Sequence, residues 1–315
     1  MRIHQFSATL PPELIGKLEI FESQFEYPLG AEASFRILHG ADYSLFFRSI
    51  GRATCFVAET EGRLTGVLTT VARPLWLPSG DEQTIIYVCD LKVAPFARGG
   101  RTLFRLIRMA QACPSTPSFL VFGIVMDGTS TVPTRYTGRA GIPLFGSISA
   151  VTILRFSSVA TTGTTPPVCA VSRQEVLDCF RRLSKGRYAT PCGQPEARSQ
   201  HPPAWLMLPD GTACGLLEDT LKAKRLVRPD GTEIISAHLS CFAFRTVDSG
   251  VRLIESALVL CRERGLPAMF VAVTRENAVK ILDSFDHSGI TVASATLYGN
   301  GLKPGVAWNI NTSEI

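Results

Sequence analysis

The chain has 315 residues, 45% hydrophobic and 19% charged, which excludes a disordered protein and leaves room for one large core or two ordinary ones. A formal charge of +5 is too mild to demand nucleic acid and suits an anionic ligand. No run reaches membrane-span length and no signal-peptide core opens the chain, while nine scattered cysteines form no C-x-x-C pair, the pattern of reduced thiols in a cytoplasmic protein.

Apolar residues spaced by three and four predict helices over Pro12 to Glu26 and roughly Glu32 to Ser49. A hairpin follows at Gly62, its second strand running toward Leu75. The strand Thr84 to Val93 leads into Pro95-Phe96-Ala97-Arg98-Gly99-Gly100-Arg101, and a helix covers Thr102 to Ala112. A strand around Phe119, a short polar-basic segment and strands near Phe145 to Phe156 close this unit. Thr161 to Val168, "TTGTTPPV", is linker-like. The remainder reads as a helix (Arg173 to Leu183), a hairpin at Gly211 and a turn at Pro229-Asp230-Gly231. Then come a strand (Glu233 to Phe244), a helix (Val251 to Cys261), a strand (Ala268 to Val273), a helix (Asn277 to Asp286) and a strand (Ile290 to Leu297).

The two halves repeat. "FVAETEGRLTGVL" (Phe56 to Leu68) lies over "WLMLPDGTACGLL" (Trp205 to Leu217) without a gap, Gly62 and Gly66 falling on Gly211 and Gly215 at an offset of 149 residues. The same offset aligns "SFLVFGIVMDG" (Ser118 to Gly128) with "PAMFVAVTREN" (Pro267 to Asn277), and the helix at Thr102 with that at Val251. Collinear hairpin, helix and strand matches identify a duplicated unit. The fold class that follows is α/β (α+β): two tandem domains, each a mixed, mostly antiparallel sheet flanked by helices.

The strand "DLKVAP" (Asp90 to Pro95), the Arg98-Gly99 turn and the helix after it resemble the GNAT N-acyltransferase superfamily. Its pattern is L-x-V-x-P followed by R/Q-x-x-G-x-G/A, and Leu91, Val93, Pro95, Arg98 and Gly99 fall on it. The resemblance implies that Leu91, Lys92, Val93, Arg98, Gly99, Gly100, Arg101 and Thr102 hold acetyl-CoA or another acyl-CoA, used as substrate. Physical chemistry agrees for the turn: glycines allow close backbone approach, helix-start N–H groups point at an anion, and arginines add charge-assisted bonds. The turn is about two residues shorter than the family's. The second half reads "CFAFRTVDSGVRL" (Cys241 to Leu253), with no Arg-Gly pair and with Asp248 where a phosphate would lie. Residues 1–163 are therefore read as the acyl-CoA-binding domain and 164–315 as a degenerate, structural one.

The family often protonates the departing thiolate with a tyrosine in a pattern like Y-x-x-x-G-F. Tyr136, five residues before Gly141, is the matching candidate, and the repeat places Phe285, which cannot donate a proton, at its counterpart. No general base is evident: Tyr87 stands where the family often has Glu, and alternation puts Asp90 on one sheet face with Val88 and Lys92, in a structural or salt-bridging role. Phe46, Phe47, Arg48 and Phe145 to Val151 fall where the fold shapes its acceptor site, though helix packing and core strand also account for them. The implied acceptor is a small-molecule amine. The short turn keeps open an acidic acyl-carrier-protein donor, or a non-catalytic acyl-CoA-binding protein. The five histidines have no ligand spacing, so no metal is expected, and neither a nucleic-acid nor a membrane partner.

Overall fold

A computed structural model describes residues 1–8, 10–29, 33–113, 120–158 and 168–315. The first half contains β1 (Arg2–Phe6), α1 (Ile15–Glu22), β2 (Tyr27–Leu29), β3 (Ala33–Leu38), α2 (Tyr43–Ile50), β4 (Arg52–Thr60) and β5 (Arg63–Trp76). It continues with β6 (Glu82–Val88), β7 (Lys92–Val93), α3 (Thr102–Gln111), β8 (Val121–Met126) and β9 (Gly146–Ser157). The second half begins with β10 (Cys169–Ala170), α4 (Arg173–Leu183), β11 (Tyr188–Ala189), α5 (Pro195–Arg198), β12 (Ala204–Met207), β13 (Ala213–Glu218) and β14 (Arg225–Val227). It ends with β15 (Ala237–Phe244), α6 (Val247–Glu263), β16 (Ala268–Val273), α7 (Arg275–Leu282), β17 (Ile290–Asn300) and β18 (Trp308–Asn309). The linker at residues 161–168 falls outside the described residues except for Val168, as do Ser118 and Phe119 at the start of the expected strand. Among the described residues no helix is long and apolar enough to cross a membrane.

One sheet runs through both halves in the order β1-β4-β5-β6-β8-β17-β9-β16-β15-β13-β12-β10. From either end the order is the same in terms of the repeat, β1 matching β10, β4 matching β12, and so on inward. The last strand of each half has crossed into the other: β17 pairs with β8 and β9 with β16, and the two pair with each other from Ile290↔Phe156 to Gly299↔Gly146. The tandem units are thus joined by exchange of their final strands, burying what would be two exposed edges.

Local chemistry explains the repeated parts. Glu61 and Gly62 both have positive φ (51° and 78°), the two-residue turn that matches strand twist. Gly66 and Gly215 both relieve close packing in the two halves. A Cβ at Gly66 would stand 2.9 Å from Thr102 Cγ2 and 3.0 Å from Leu106 Cδ1, so this glycine lets α3 press onto its hairpin. A Cβ at Gly215 would stand 2.8 Å from Leu239 Cδ1 of β15 and 3.4 Å from Leu253 Cδ2 of α6. α3 seals a core of Phe56, Leu68 and Leu106, and α6 one containing Leu253, Ile254 and Val271. α1 and α2 cover the opposite face of the first half.

The expected helix from Glu32 to Ser49 is instead strand β3 followed by the shorter α2. β3 pairs with β2 (Tyr27↔Phe35) and with β14 of the second half (Leu226↔Ile37), so a distant partner overrides the local helical spacing.

Candidate donor site

β6 and β8 pair in parallel only at Ile86↔Val121 and Tyr87↔Phe122. Cys89 and Asp90 then both stand opposite Thr69, Cys89 N–H donating to Thr69 O at 3.0 Å and Thr69 N–H to Asp90 O at 3.2 Å. This bulge carries the chain away from β8, and β7 pairs with β5 alone (Val67↔Lys92, Gly66↔Val93). β8 meanwhile continues along β17 to Met126. The result is a wedge between Val88–Val93 and Gly123–Met126, with one edge of β7 free of any described strand.

At the mouth of the wedge lies the Arg-Gly turn. A 3-10 turn, Pro95–Ala97, ends at Arg98, Gly99 has φ +79°, and Gly100 N–H closes onto Ala97 O. α3 then starts at Thr102 with no side-chain cap, so its first N–H groups project out of the helix end. Arg98, Gly99, Gly100 and Arg101 are exposed. Thr102 is buried, its hydroxyl facing Met1 Sδ at 3.7 Å. Leu91 packs into the core under α3. Lys92 turns its side chain to the opposite face, where it is buried, so only its main chain is left to a donor in the wedge.

The second half closes both features. Thr246 and Ser249 form a capping box at the start of α6, with Asp248 in its first turn, so the Thr246 and Ser249 N–H groups are engaged by side chains and a negative charge stands where a phosphate would lie. Its strand distortion sits at Cys241, the repeat counterpart of Lys92, with φ +46°, and Cys241 N–H donates to Asn311 Oδ1 at 2.8 Å. The chain's own 311–314 segment therefore occupies the place where the first half has its wedge.

Beneath the first-half bulge is a buried cluster that sequence reading missed. Lys92 Nζ lies 2.8 Å from Asp90 Oδ1 and 3.3 Å from Glu22 Oε1. Tyr43 donates to Asp90 Oδ2 at 2.6 Å, and His39 Nδ1 lies 2.5 Å from Glu22. Asp90 does salt-bridge to Lys92, but it does not share a face with Val88: the bulge puts Val88 toward α3, and simple alternation fails there. Glu22, His39 and Asp90 have ligand atoms within 4.8 Å of one another, the spacing of a cation site, and the Lys92 ammonium already fills that role. The cluster spans α1, α2 and the bulge, holding the wedge-forming strand to the helices.

Its charge state sets an acid limit. Burial pushes the Glu22 carboxyl up, but the charges of His39 and Lys92 outweigh it and lower the pKa from 4.5 to about 2. Ionised Glu22 therefore stabilises the fold fully above about pH 4.5, and that contribution is lost as pH falls through about 2. Urea midpoints measured from pH 7 to pH 2 should fall across this window. Glu22→Gln should lower stability at pH 7 by on the order of 2–3 kcal/mol and flatten the slope. An unchanged slope in the variant would contradict the assignment.

Tyr136 follows a 3-10 turn, Pro133–Arg135, where the second half has the full helix α7. Burial and the neighbouring Tyr298 of β17 push its phenol up to about 12, so it stays protonated at neutral pH. Its counterpart Phe285 lies 4.9 Å from Phe156 of β9. Each ring thus sits on the strand contributed by the other half. Among the described contacts none joins Tyr136 to Arg98–Thr102; its loop meets α3 at Arg108, whose Nη1 is 3.2 Å from the position of a Cβ on Gly141. Phe46 and Phe47 are core residues tilted against His39, which fits their reading as helix packing, while Arg48 is partly exposed and pairs with Asp42 at 2.7 Å.

No family model matches the chain, and no curated protein matches it in sequence. Solved structures do match in fold. Saccharomyces cerevisiae N-myristoyltransferase with bound myristoyl-CoA aligns over 96% of this chain and 84% of its own, at TM-score 0.62 and 11% identity. A GCN5-related N-acetyltransferase from Anabaena variabilis aligns over 95% of this chain and 72% of its own, at TM-score 0.52 and 10% identity. An alignment covering almost the whole chain takes in both halves and the exchanged strands. The chain therefore shares the fold of the N-myristoyltransferase and GCN5-related N-acetyltransferase structures.

Proposed function

We propose that the chain is an acyl-CoA-dependent N-acyltransferase whose first half, residues 1–163, binds the donor while 164–315 is structural. The observation that carries this reading is the contrast between the two helix starts. α3 begins uncapped behind a glycine turn with two exposed arginines, whereas α6 begins with a capping box and an aspartate. Arg98, Arg101 and the N–H groups of Gly99, Arg101 and Thr102 would hold the donor's phosphates, and the main chain of Leu91–Val93 its pantetheine arm. The two similar structures, one an N-acetyltransferase by name and the other holding myristoyl-CoA, support a coenzyme A thioester as the donor class.

In the reaction a neutral amine of a small-molecule acceptor attacks the thioester carbonyl, the C–N bond forms, and the C–S bond breaks. The departing thiolate takes a proton from Tyr136, the proton lost by nitrogen passes to solvent, and solvent returns a proton to Tyr136. The shortness of the Arg-Gly turn favours a second reading, in which the donor is an acyl carrier protein presenting one phosphate.

Arg98→Ala tests the site. Losing one charge-assisted phosphate contact costs roughly 1.5–3 kcal/mol, so titration calorimetry should show at least a tenfold weaker affinity for acetyl-CoA. Unchanged affinity would move the donor elsewhere.

A further inference from the structure

The outer face of α3 carries a charge pattern that the donor site does not use up. Arg101, Arg105 and Arg108 recur at four and three residues and form one stripe along the helix. Like charges at that spacing repel, and no acidic residue occurs between Asp90 and Asp127 to offset them. Among the described residues Arg98, Arg101, Arg105 and Arg108 make no ion pair. Large apolar side chains stand between them: Phe96 is 55% exposed, Phe104 38%, Met109 39% and Leu144 54%. Leu144 belongs to the loop that meets α3 at Arg108, and its Cδ1 is 3.1 Å from the position of a Cβ on Gly138. The Arg63 guanidinium lies 4.2 Å over the Phe96 ring, and that of Arg108 lies 5.9 Å from the Phe104 ring.

We propose that this face, the outer side of α3 with the adjoining 138–144 loop, docks on an anionic lipid surface. Charge complementarity calls for a negative partner, and the apolar side chains among the charges select between kinds of partner. A protein interface seats its aromatic anchors in pockets, whereas Phe96, Phe104, Met109 and Leu144 are exposed and interspersed with arginines, and they line neither the cavity at Arg155 and Arg228 nor that at Phe242 and Asn277. Protruding apolar side chains among arginines suit the boundary between headgroups and acyl chains, where the chains enter and the cations meet the phosphates. The absence of a spanning run excludes only a membrane-crossing helix; an interfacial face built from successive turns of a ten-residue helix leaves no such run. The proposal does not depend on the donor assignment, since Arg105, Arg108 and Met109 lie beyond the phosphate turn.

Co-sedimentation of the full chain with phosphatidylglycerol–phosphatidylcholine vesicles, against pure phosphatidylcholine vesicles, tests it. Binding should be confined to the anionic vesicles and fall steeply with salt. With each arginine near an anionic surface worth roughly a fivefold gain in binding, Arg105→Glu/Arg108→Glu should weaken binding at least tenfold. Phe104→Ser should weaken it while keeping the salt dependence. Lys222→Glu, an exposed site of the second half, should bind like the wild type. Equal binding to neutral vesicles, no binding to either, capture only by an acidic protein, or wild-type binding by the double variant would each overturn the proposal.

Discussion

Arg198→Met is expected to lower stability by about 3–5 kcal/mol, the loss typical of a buried ion pair broken from one side. Arg198 is fully buried and holds Glu218 through two bonds, Nε–Oε2 at 2.8 Å and Nη2–Oε1 at 2.9 Å. Nη2 also lies 3.4 Å from Glu314 Oε1, and Nη1 reaches Ser49 Oγ at 3.4 Å. Glu314 takes a further bond from Arg73 Nη1 at 2.7 Å. The guanidinium therefore ties α5, β13, α2 and the 311–314 segment together across the two halves. Methionine fills the space but leaves Glu218 buried without its charge partner. Arg198→Met/Glu218→Met removes both charges and should be less damaging than the single change. Urea denaturation at neutral pH measures both. A single variant as stable as the wild type would show that the network contributes little, and a double variant less stable than Arg198→Met would contradict the uncompensated-charge explanation.

The second large effect concerns chemistry. Tyr136→Phe should leave donor affinity unchanged and reduce turnover about a hundredfold or more, the contribution of a positioned general acid. The substitution removes one hydroxyl from a half-buried ring beside Tyr298, and the second half already carries phenylalanine at the equivalent place. A panel of amines and amino acids must first reveal an acceptor. If transfer is found and the variant retains nearly full rate, another acid or solvent protonates the thiolate. A lowered rate with weakened donor binding would instead mark Tyr136 as a packing residue.

Much of the duplicated core was legible because its physics is local. The Gly62 turn and the Gly66 and Gly215 close approaches leave glycines at fixed places in each repeat, the helix Arg173 to Leu183 is marked by its own periodicity, and the strand Ala268 to Val273 by its short continuous apolar run. What was missed depends on partners far away in the chain. β3 is a strand because β2 and β14 flank it, although its residues also fit a helical spacing. The exchange of β9 and β17 is invisible because each strand's alternation would suit either neighbour. The Asp90 bulge broke an alternation argument by adding one residue. Lys92, read as part of the donor contacts, spends its charge on neighbouring Asp90 and on Glu22, which lies 70 residues earlier in the chain. The buried Glu314 could not be expected in a core without Arg73 and Arg198, which lie far from it in sequence.

The central claim is that one half binds a coenzyme A thioester and the other does not. Native mass spectrometry of the intact protein with acetyl-CoA, a long-chain acyl-CoA and free CoA addresses it most directly. A single bound ligand per chain is expected, its occupancy reduced at least tenfold at limiting ligand by Arg98→Ala and unaffected by changes at Thr246. Two ligands per chain, or none with any of the three, would contradict it.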